Sequence, residues 1–267
     1  MKKNIVITGS TRGIGFATAD AFLDLGCAVT VSGRTREAVD KAVANLAEKH
    51  GEERINGCPC DVTDLDQVQG LWDSAVSRFK TVDIWVNNAG IANMTQPLWE
   101  IPPEDFQTVL DTNVMGTLHG VRVAIKGMLE QGRGQIYNFE GYGSSPKRIQ
   151  FGINAYGTSK AAITFFSKAL ALETKDLPIQ VGTILPGMVL TDLVLNNLKR
   201  DPEQLERVRP IFNIICDLPQ NVGPFIAKKI LENRKSGVTI SYLTPIRMLG
   251  RFLTSRFKKR DIFADLL

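Results

Sequence analysis

The sequence has few of the residues that build metal sites and disulfide frameworks. Its 267 residues include four cysteines and two histidines. Cys58-Pro59-Cys60 lacks the two-residue spacer of the thiol redox motif, and the cysteines show no disulfide pattern. We therefore expect reduced thiols and no metal centre.

Long apolar runs and a strong charge of one sign are also missing. No stretch approaches the roughly 20 apolar residues that span a bilayer. Met1-Lys2-Lys3 leads straight into a short β-like run, without the apolar core of a signal peptide. The formal net charge of +4 is modest, so composition indicates no nucleic-acid partner. These features predict a globular protein located in the cytoplasm.

The sequence does contain a regular alternation of short apolar runs and helical patterns, without repeats or linkers. Runs at 5–7, 28–31, 82–86, 135–139, 179–185 and 237–242 predict strands, and a further short strand is predicted to close in 58–62. Helices are predicted between them, including one long helix from Glu104 to about Gly132. The predicted fold is α/β, with a single Rossmann-type doubly wound parallel sheet of about seven strands and helices on both faces.

The predicted boundaries divide the chain into one domain and a tail. Residues 1–242 hold the alternating pattern, and residues 243–267 follow the last strand. Within the domain, residues 191–219 are polar and punctuated by prolines. Because insertions at strand carboxyl ends border the ligand crevice of such sheets, we predict that this segment is a substrate lid.

A glycine-rich turn follows the first predicted strand and opens the first helix. It consists of Gly9, Ser10, Thr11, Arg12, Gly13, Ile14 and Gly15. The glycines let the backbone approach a diphosphate closely, and the helix N-terminus offers unpaired N–H groups to the anion. Strand, turn and helix together are the context that this dinucleotide motif requires.

The residues at the end of the second strand favour NADP(H) over NAD(H). An acidic residue there would accept a hydrogen bond from the free 2′-hydroxyl of NAD. This chain instead has Arg34, with Arg12 in the glycine-rich turn nearby. Two guanidinium groups suit a 2′-phosphate, although both could also be solvated surface arginines.

Two further segments follow strand ends and are predicted to border the cofactor. Asp61, before Val62, could accept from the adenine amino group or cap the helix that begins near Asp64. The small residues of Asn87-Asn88-Ala89-Gly90 would let the backbone run close to a ribose and a nicotinamide.

Tyr156 and Lys160 are four residues apart in a predicted helix and therefore lie on one face. An ammonium beside a phenol stabilises the phenolate, so we expect the pKa of Tyr156 to be lowered. Such a tyrosine could exchange a proton with a substrate oxygen near neutral pH. The alternative is an ordinary half-buried aromatic and a solvated lysine. Asn113, inside a helix, indicates either a buried structural hydrogen bond or a held water.

Seven motifs occur in the order found in one family: Thr8-Gly9-x-x-x-Gly13-Ile14-Gly15, Asp61-Val62, Asn87-Asn88-Ala89-Gly90, Asn113, a serine loop, Tyr156-x-x-x-Lys160 and Pro186-Gly187-x-x-x-Thr191. Over nearly its whole length the chain resembles the classical short-chain dehydrogenase/reductase family. The resemblance implies that Tyr156 is the general acid/base. Lys160 would lower its pKa and bind the nicotinamide ribose, and Asn113 would hold a water.

The resemblance also implies further cofactor contacts and an oligomer. Pro186, Gly187, Val189 and Thr191 would line the nicotinamide amide and the diphosphate. A homodimer or homotetramer would form through the helices of Asn113 and Tyr156.

The serine loop departs from the family pattern. The residues that follow Asn138-Phe139 are Glu140 and Gly141, where two serines are usual. We predict that Ser144 orients the substrate carbonyl, with Ser145 as the second choice. A turn serine without a catalytic role is the alternative.

The segment that departs from the family pattern resembles the corresponding segment of one branch of the family. Asn138-Phe139-Glu140-Gly141-Tyr142-Gly143-Ser144 looks like the Asn-Met-Asp-Gly-Ala-Gly-Ser segment of chlorophyll b reductases. Tyr156–Lys160 and Tyr242-Leu243-Thr244-Pro245 are also similar to that branch. Membership would imply reduction of a formyl group on a large flat hydrophobic ring.

We predict an NADPH-dependent oxidoreductase that reduces an aldehyde or ketone of a hydrophobic substrate, with Tyr156 as general acid. Two alternatives stay open. The first is an alcohol dehydrogenase that works in the oxidative direction. The second is a non-catalytic NADP(H)-binding regulator, although such a module would not need the Tyr156, Lys160 and Asn113 set.

The tail combines apolar residues at helical spacing with a basic cluster. The apolar residues are Ile246, Met248, Leu249, Phe252, Leu253 and Phe257. The basic residues are Arg247, Arg251, Arg256, Lys258, Lys259 and Arg260. This pattern suits an amphipathic helix on an anionic membrane surface. The alternative is a helix packed on its own domain or on a neighbouring subunit.

Overall fold

The described part of the chain builds one parallel sheet of seven strands, in the order β3-β2-β1-β4-β5-β6-β7. The structure is a computed structural model that describes residues 3–93, 95–145, 149–198, 202–255 and 260–264. The strands are β1 (Asn4–Ile7), β2 (Ala28–Gly33), β3 (Ile55–Pro59), β4 (Ile84–Asn87), β5 (Gly134–Phe139), β6 (Ile179–Leu185) and β7 (Val238–Ser241). The predicted fold class is confirmed.

Helices connect the strands and cover both faces of the sheet. In the described residues they are α1 (Gly13–Asp24), α2 (Arg36–His50), α3 (Leu65–Phe79), α4 (Pro103–Leu110), α5 (Gly116–Gln131), α6 (Asn154–Glu173), α7 (Asp192–Leu198), α8 (Pro202–Ile215), α9 (Pro219–Glu232) and α10 (Pro245–Thr254). Side chains close some of the N-termini: Thr35 caps α2 and Asp64 caps α3.

Two apolar cores hold the helices against the sheet. On one face, Phe22 of α1, Leu46 of α2 and Ile226 of α9 pack together. On the other face, the core contains residues of α3, α5 and α6. The middle strands are buried on both sides, which explains why Ile84–Val86 reads as an unbroken apolar run.

The prediction of one long helix from Glu104 to about Gly132 is wrong in one respect. A π-helical turn at Asp111–Met115 separates α4 from α5. Asn113 lies in this turn, and its side chain reaches the backbone of Ile91 in the loop after β4. Such turns concentrate at functional sites because they redirect backbone groups.

The predicted lid and the tail share a third apolar core. Its buried members are Leu190, Leu195, Leu198, Leu205, Cys216, Ile262 and Phe263. The tail therefore packs on its own domain, which was the alternative to a free membrane-bound helix. Phe257 and the basic residues Arg256, Lys258 and Lys259 lie outside the described residues, as does Pro146 of the serine loop.

Helix α10 is turned so that its arginines face the domain. The Arg251 guanidinium contacts the buried carboxylate of Asp217, and that of Arg247 lies 4.1 Å from the Tyr242 ring centroid. The apolar side of α10 points outward, with Ile246 85%, Leu249 61%, Phe252 42% and Leu253 64% exposed. Within the described residues, no helix is long and apolar enough to cross a membrane.

Candidate active site

A crevice of about 1020 Å³ opens along the carboxyl ends of the strands. It spans the position where the strand order switches between β1 and β4, which is where open α/β sheets bind their ligands. Sixteen predicted site residues line it: Gly9, Thr11, Arg12, Gly13, Ile14, Gly15, Arg34, Asp61, Val62, Asn88, Ala89, Gly90, Tyr156, Lys160, Pro186 and Thr191. The fold thus brings together residues from six separate segments of the chain.

Five predicted site residues do not line the crevice: Ser10, Asn113, Ser144, Gly187 and Val189. The hydroxyl of Ser10 is buried, donates to Ile7 O (2.7 Å) and accepts from Ser32 N (2.9 Å). It therefore joins the ends of β1 and β2. Val189 is also buried, and its backbone pairs with Asp217.

The glycine-rich turn presents bare backbone to the crevice. Gly9 has a φ of +61°, and a Cβ added there would lie 2.7 Å from Ala89 Cα. A Cβ at Gly15 would lie 2.5 Å from Asn88 Nδ2. That amide donates to Thr8 O (2.9 Å) and Gly9 O (2.8 Å), which locks the turn to the loop after β4. This cradle at the start of α1 fits a diphosphate group.

The end predicted to hold the adenosine has arginines and no acidic residue directly after β2. Gly33 ends β2, and Arg34 follows it on the crevice wall. Arg12 also lines the crevice, and its guanidinium lies 3.3 Å from the carboxylate of Asp192, at the start of α7. Both side chains of this pair are more than half exposed, so an anion could compete for Arg12 at little cost.

Asp61 closes a turn and does not cap the next helix. Its Oδ1 accepts from the backbone N–H (3.0 Å) and the hydroxyl (2.8 Å) of Thr63. Asp64 supplies the cap of α3 instead. Asp61 still lines the crevice, and its contact with adenine stays a prediction.

Tyr156 and Lys160 share one face of α6 and line the crevice, but the predicted pKa direction is wrong for this structure. Burial raises the pKa of Tyr156 to about 12. Burial also lowers the pKa of Lys160 to about 8, with the charge of Glu140 opposing it. The Lys160 ammonium donates to Phe139 O (3.0 Å) and lies 5.6 Å from the Tyr156 ring centroid.

Asn113 forms buried structural hydrogen bonds. Its Oδ1 accepts from Ile91 N (2.8 Å), and its Nδ2 donates to Ile91 O (2.9 Å) and Ser159 Oγ (2.9 Å). Its backbone carbonyl accepts from Thr117 Oγ1 (2.7 Å). The first of the two alternatives from the sequence is therefore present, while a held water stays a prediction.

Gly141 stands directly against the phenol of Tyr156. A Cβ at Gly141 would lie 2.3 Å from Tyr156 Oη, so this position, where the family usually has serine, has no room for a side chain. Gly143 has a φ of +102° and packs tightly on Gly157 of α6. These contacts explain the glycines that distinguish this loop.

Ser144 closes the same loop on itself. Its hydroxyl accepts from Gly141 N (3.1 Å), and its own N–H donates to Gly141 O (3.2 Å). These bonds fit the turn-serine alternative. The catalytic roles predicted for Ser144 and Ser145 stay predictions.

Glu140 is a crevice residue to which the sequence analysis assigned no role. It is 7% exposed, and burial raises its pKa, while hydrogen bonds with Thr183 and Thr164 and the charges of Lys168 and Lys160 oppose that effect. A carboxylate at the end of a buried strand was the signal that could have identified it.

Two loops that carry exposed apolar side chains, here called the apolar rim, are joined where Gln96 N donates to Gly152 O (3.3 Å). The backbone N–H of Tyr156 donates to Asn93 Oδ1 (3.2 Å), which ties the rim to α6. Four large apolar side chains of these loops are exposed: Leu98, Trp99, Ile149 and Phe151.

No metal centre contributes to this site in the described part of the chain. Within it, no group of three or more His, Cys, Asp or Glu side chains could hold a metal ion. The four cysteines are free thiols.

Comparison with known proteins shows that the sequence and the fold are similar to those of oxidoreductases. The short chain dehydrogenase family model matches residues 3–202. The chain is 33% identical to the probable chloroplastic chlorophyll(ide) b reductase NYC1 of Arabidopsis thaliana, over 98% of this chain and 55% of that protein. It thus spans about half the length of that relative.

Solved structures with the same fold hold both kinds of nicotinamide cofactor. One is a variant of actinorhodin polyketide ketoreductase with NADPH (TM-score 0.80, 26% identity, 90% of this chain and 95% of that one). Another is NAD+-bound xylitol dehydrogenase (TM-score 0.80, 27% identity, 90% and 97%). Fold similarity alone therefore does not select the cofactor.

Proposed function

The chain belongs to the short-chain dehydrogenase family, and from this membership we propose that it is an NADPH-dependent reductase of a carbonyl group. The predicted similarity to chlorophyll b reductases is also confirmed. The observation that carries the proposal is the position of Tyr156 and Lys160 on the wall of the crevice that holds the glycine-rich turn.

The residues of the chain would hold the cofactor and move one proton. NADPH, when bound, supplies the hydride. Tyr156 carries its proton at neutral pH, because its pKa is raised to about 12, and would donate it from Oη to the substrate oxygen. The Lys160 ammonium lies 5.6 Å from the ring centroid, and its charge favours the phenolate that the transfer leaves behind.

The preference for NADPH rests on the end of β2. Arg34 follows that strand directly, and Arg12 of the glycine-rich turn also lines the crevice. Guanidinium groups bind phosphate with charge-assisted hydrogen bonds, whereas NADH would offer them only a neutral 2′-hydroxyl. Asp192 would release Arg12 when the 2′-phosphate binds.

The proposed substrate is a large, flat, hydrophobic molecule that carries an aldehyde. The exposed apolar rim of Leu98, Trp99, Ile149 and Phe151 supports this class, since its loops are tied to the backbone N–H of Tyr156 through Asn93. So does the similarity to a probable chlorophyll(ide) b reductase, because the resemblance of the serine loop to that branch implies a formyl group on such a ring.

The test is NADPH oxidation with a panel of aldehydes and ketones that includes polycyclic and formyl-bearing rings. We expect turnover with NADPH at least about tenfold faster than with NADH. Turnover only in the oxidative direction would support the alcohol dehydrogenase alternative. Tight NADPH binding without any turnover would support the regulator and contradict the proposal.

A second copy of the chain is proposed to dock on α5 and α6. An apolar groove between these helices is lined by Leu118, Val121, Ile125, Phe166 and Leu170. Phe165 and Leu172 of α6 are largely exposed beside it. Light scattering coupled to size exclusion should give a dimer or tetramer, and the Phe165→Ser/Leu172→Ser variant should dissociate. An intact oligomer in that variant would contradict the proposed interface.

An anionic lipid surface is the proposed partner of the outward side of α10. Residues 243–267 contain six Lys and Arg against two Asp, so their net charge equals the +4 of the whole chain. Exposed apolar side chains beside a net positive charge fit anionic lipids. The inward arginines reduce the charge that α10 itself presents. The predicted cytoplasmic location, with peripheral membrane contact, stays a prediction.

Co-sedimentation with vesicles would test this contact. We expect the full chain to bind phosphatidylglycerol-containing vesicles more than phosphatidylcholine vesicles. Ile246→Ser/Leu249→Ser/Leu253→Ser should lower binding at least about tenfold. Leu25→Ser/Leu177→Ser is the control, since it removes exposed apolar groups that lie on neither α10 nor the helices of the proposed oligomer interface. An equal loss of vesicle binding in both variants would contradict lipid binding by α10. So would an α10 variant that changes its oligomeric state but still binds the vesicles.

A further inference from the structure

A buried carboxylate, Glu140, follows β5 directly and precedes Gly141, the glycine that stands against the Tyr156 phenol. The backbone N–H of Glu140 donates to Ile184 O at 2.8 Å, which fixes the residue against β6. The residue is 7% exposed, and it lines the crevice. A residue of this charge at this position has no part in the mechanism proposed above.

The elements packed around Glu140 bring few charges to it. From α6 come the buried Lys160, the exposed Lys168 and the hydroxyl of Thr164. From β6 comes the hydroxyl of Thr183. The negative charge of Glu140 therefore attracts mainly the two lysines of α6. Of these two, Lys160 lines the crevice.

Lys160 is anchored at the end of β5, the strand that Glu140 follows. The Lys160 ammonium is held by Phe139 O at 3.0 Å, and Phe139 directly precedes Glu140 in the chain. Lys160 is only 5% exposed, so burial disfavours its charge. Glu140 is the charged group that opposes this effect.

We propose that Glu140 is a positioning residue that keeps the Lys160 ammonium charged, and so extends to higher pH the range in which Lys160 stabilises the phenolate that proton donation by Tyr156 leaves behind. The inference rests on the proposed function of Tyr156. Removing a negative charge favours loss of a proton from any neighbouring group. Because the Lys160 ammonium lies 5.6 Å from the Tyr156 ring centroid, a pH profile reports apparent pKa values of the two groups together.

The first test is the pH profile of kcat/KM for NADPH oxidation. Glu140→Gln should move the basic limb about 1 pH unit towards lower pH, and Glu140→Asp should restore the position of the limb. Glu173 is an exposed carboxylate on α6, the helix of Lys160, and Glu173→Gln should leave the position of the basic limb unchanged. If Glu140→Gln lowers the rate at all pH values without moving the limb, Glu140 is structural and the inference is wrong.

The second test does not need turnover. Lysine Cε resonances are titrated in ¹³C-lysine-labelled protein, and Lys160 is assigned with Lys160→Arg. Glu140→Gln should move the Lys160 titration to lower pH by about 1 unit, and Glu140→Asp should not. An unmoved titration overturns the inference. A moved titration in a protein without carbonyl reduction would instead refute the proposed function and leave the Glu140–Lys160 coupling in place.

Discussion

Replacing Asp217 by Asn removes the carboxylate that ties the lid to the tail. Asp217 is 4% exposed and accepts from the Tyr242 hydroxyl (2.6 Å), Asn221 Nδ2 (2.7 Å) and Leu218 N (3.0 Å). The Arg251 guanidinium contacts it directly, and that of Arg260 lies 3.3 Å away. The substitution keeps the size of the side chain and removes its charge.

Two physical arguments give a similar cost. Burial alone would raise the pKa of Asp217, but hydrogen bonds and Arg251 outweigh it and hold the pKa at about 2, against 3.8 for a free carboxyl. That difference corresponds to about 2 kcal/mol of stability at neutral pH. Breaking a buried ion pair costs about 3–5 kcal/mol, and the Arg251 side chain is 15% exposed. We expect a loss of about 3 kcal/mol.

The assay is urea unfolding at pH 7 and pH 5, supported by thermal melts. Because the folded-state pKa is lowered, the contribution of Asp217 is complete above about pH 4 and is lost as the pH falls towards about 2. The loss should therefore be equal at both pH values, with a melting temperature lower by about 6–12 °C. Asp261→Asn, which breaks a solvent-exposed pair with Arg209, should cost far less than Asp217→Asn. Similar losses in both variants would refute the reasoning.

Three further substitutions test the site. Gly141→Ser should lower turnover about tenfold to a hundredfold, because its Cβ would lie 2.3 Å from Tyr156 Oη; unchanged steady-state kinetics would contradict this placement. Arg34→Leu should weaken NADPH binding about tenfold without affecting NADH, and equal losses in fluorescence titrations would exclude a 2′-phosphate contact. Asn113→Ala should cost about 1–3 kcal/mol in urea unfolding, because Ile91 N loses its 2.8 Å partner; a cost near zero would mean that the bond contributes nothing.

The fold and the crevice were predictable because local patterns determine them. The apolar runs match the strands closely: β6, for example, spans Ile179–Leu185 as predicted. The glycine-rich turn lies at the end of β1 as expected. Tyr156 and Lys160 share a face because they are four residues apart in one helix.

Features that depend on distant residues were not predictable. The pKa values of Tyr156 and Lys160 depend on burial, and the Lys160 ammonium finds Phe139 O, 21 residues away. The π-helical turn at Asp111–Met115 accompanies a hydrogen bond between Asn113 and Ile91, 22 residues earlier. No local pattern contains this information.

The orientation of the tail helix also depends on a distant residue and was not predictable from the local sequence. Its helical pattern was correctly read as amphipathic, but the side that faces the domain depends on a carboxylate outside the pattern. Asp217, 34 residues before Arg251, draws the basic side inward. The apolar side is left outward for this reason.

The most direct measurement of the central claim is turnover of Tyr156→Phe with NADPH and the best aldehyde of the panel, together with its NADPH affinity. Because a positioned general acid contributes about 10²–10⁴-fold, we expect turnover to fall by at least about a hundredfold while NADPH binding is retained. Turnover within about twofold of the unmodified chain would contradict the assignment of Tyr156 as the proton donor.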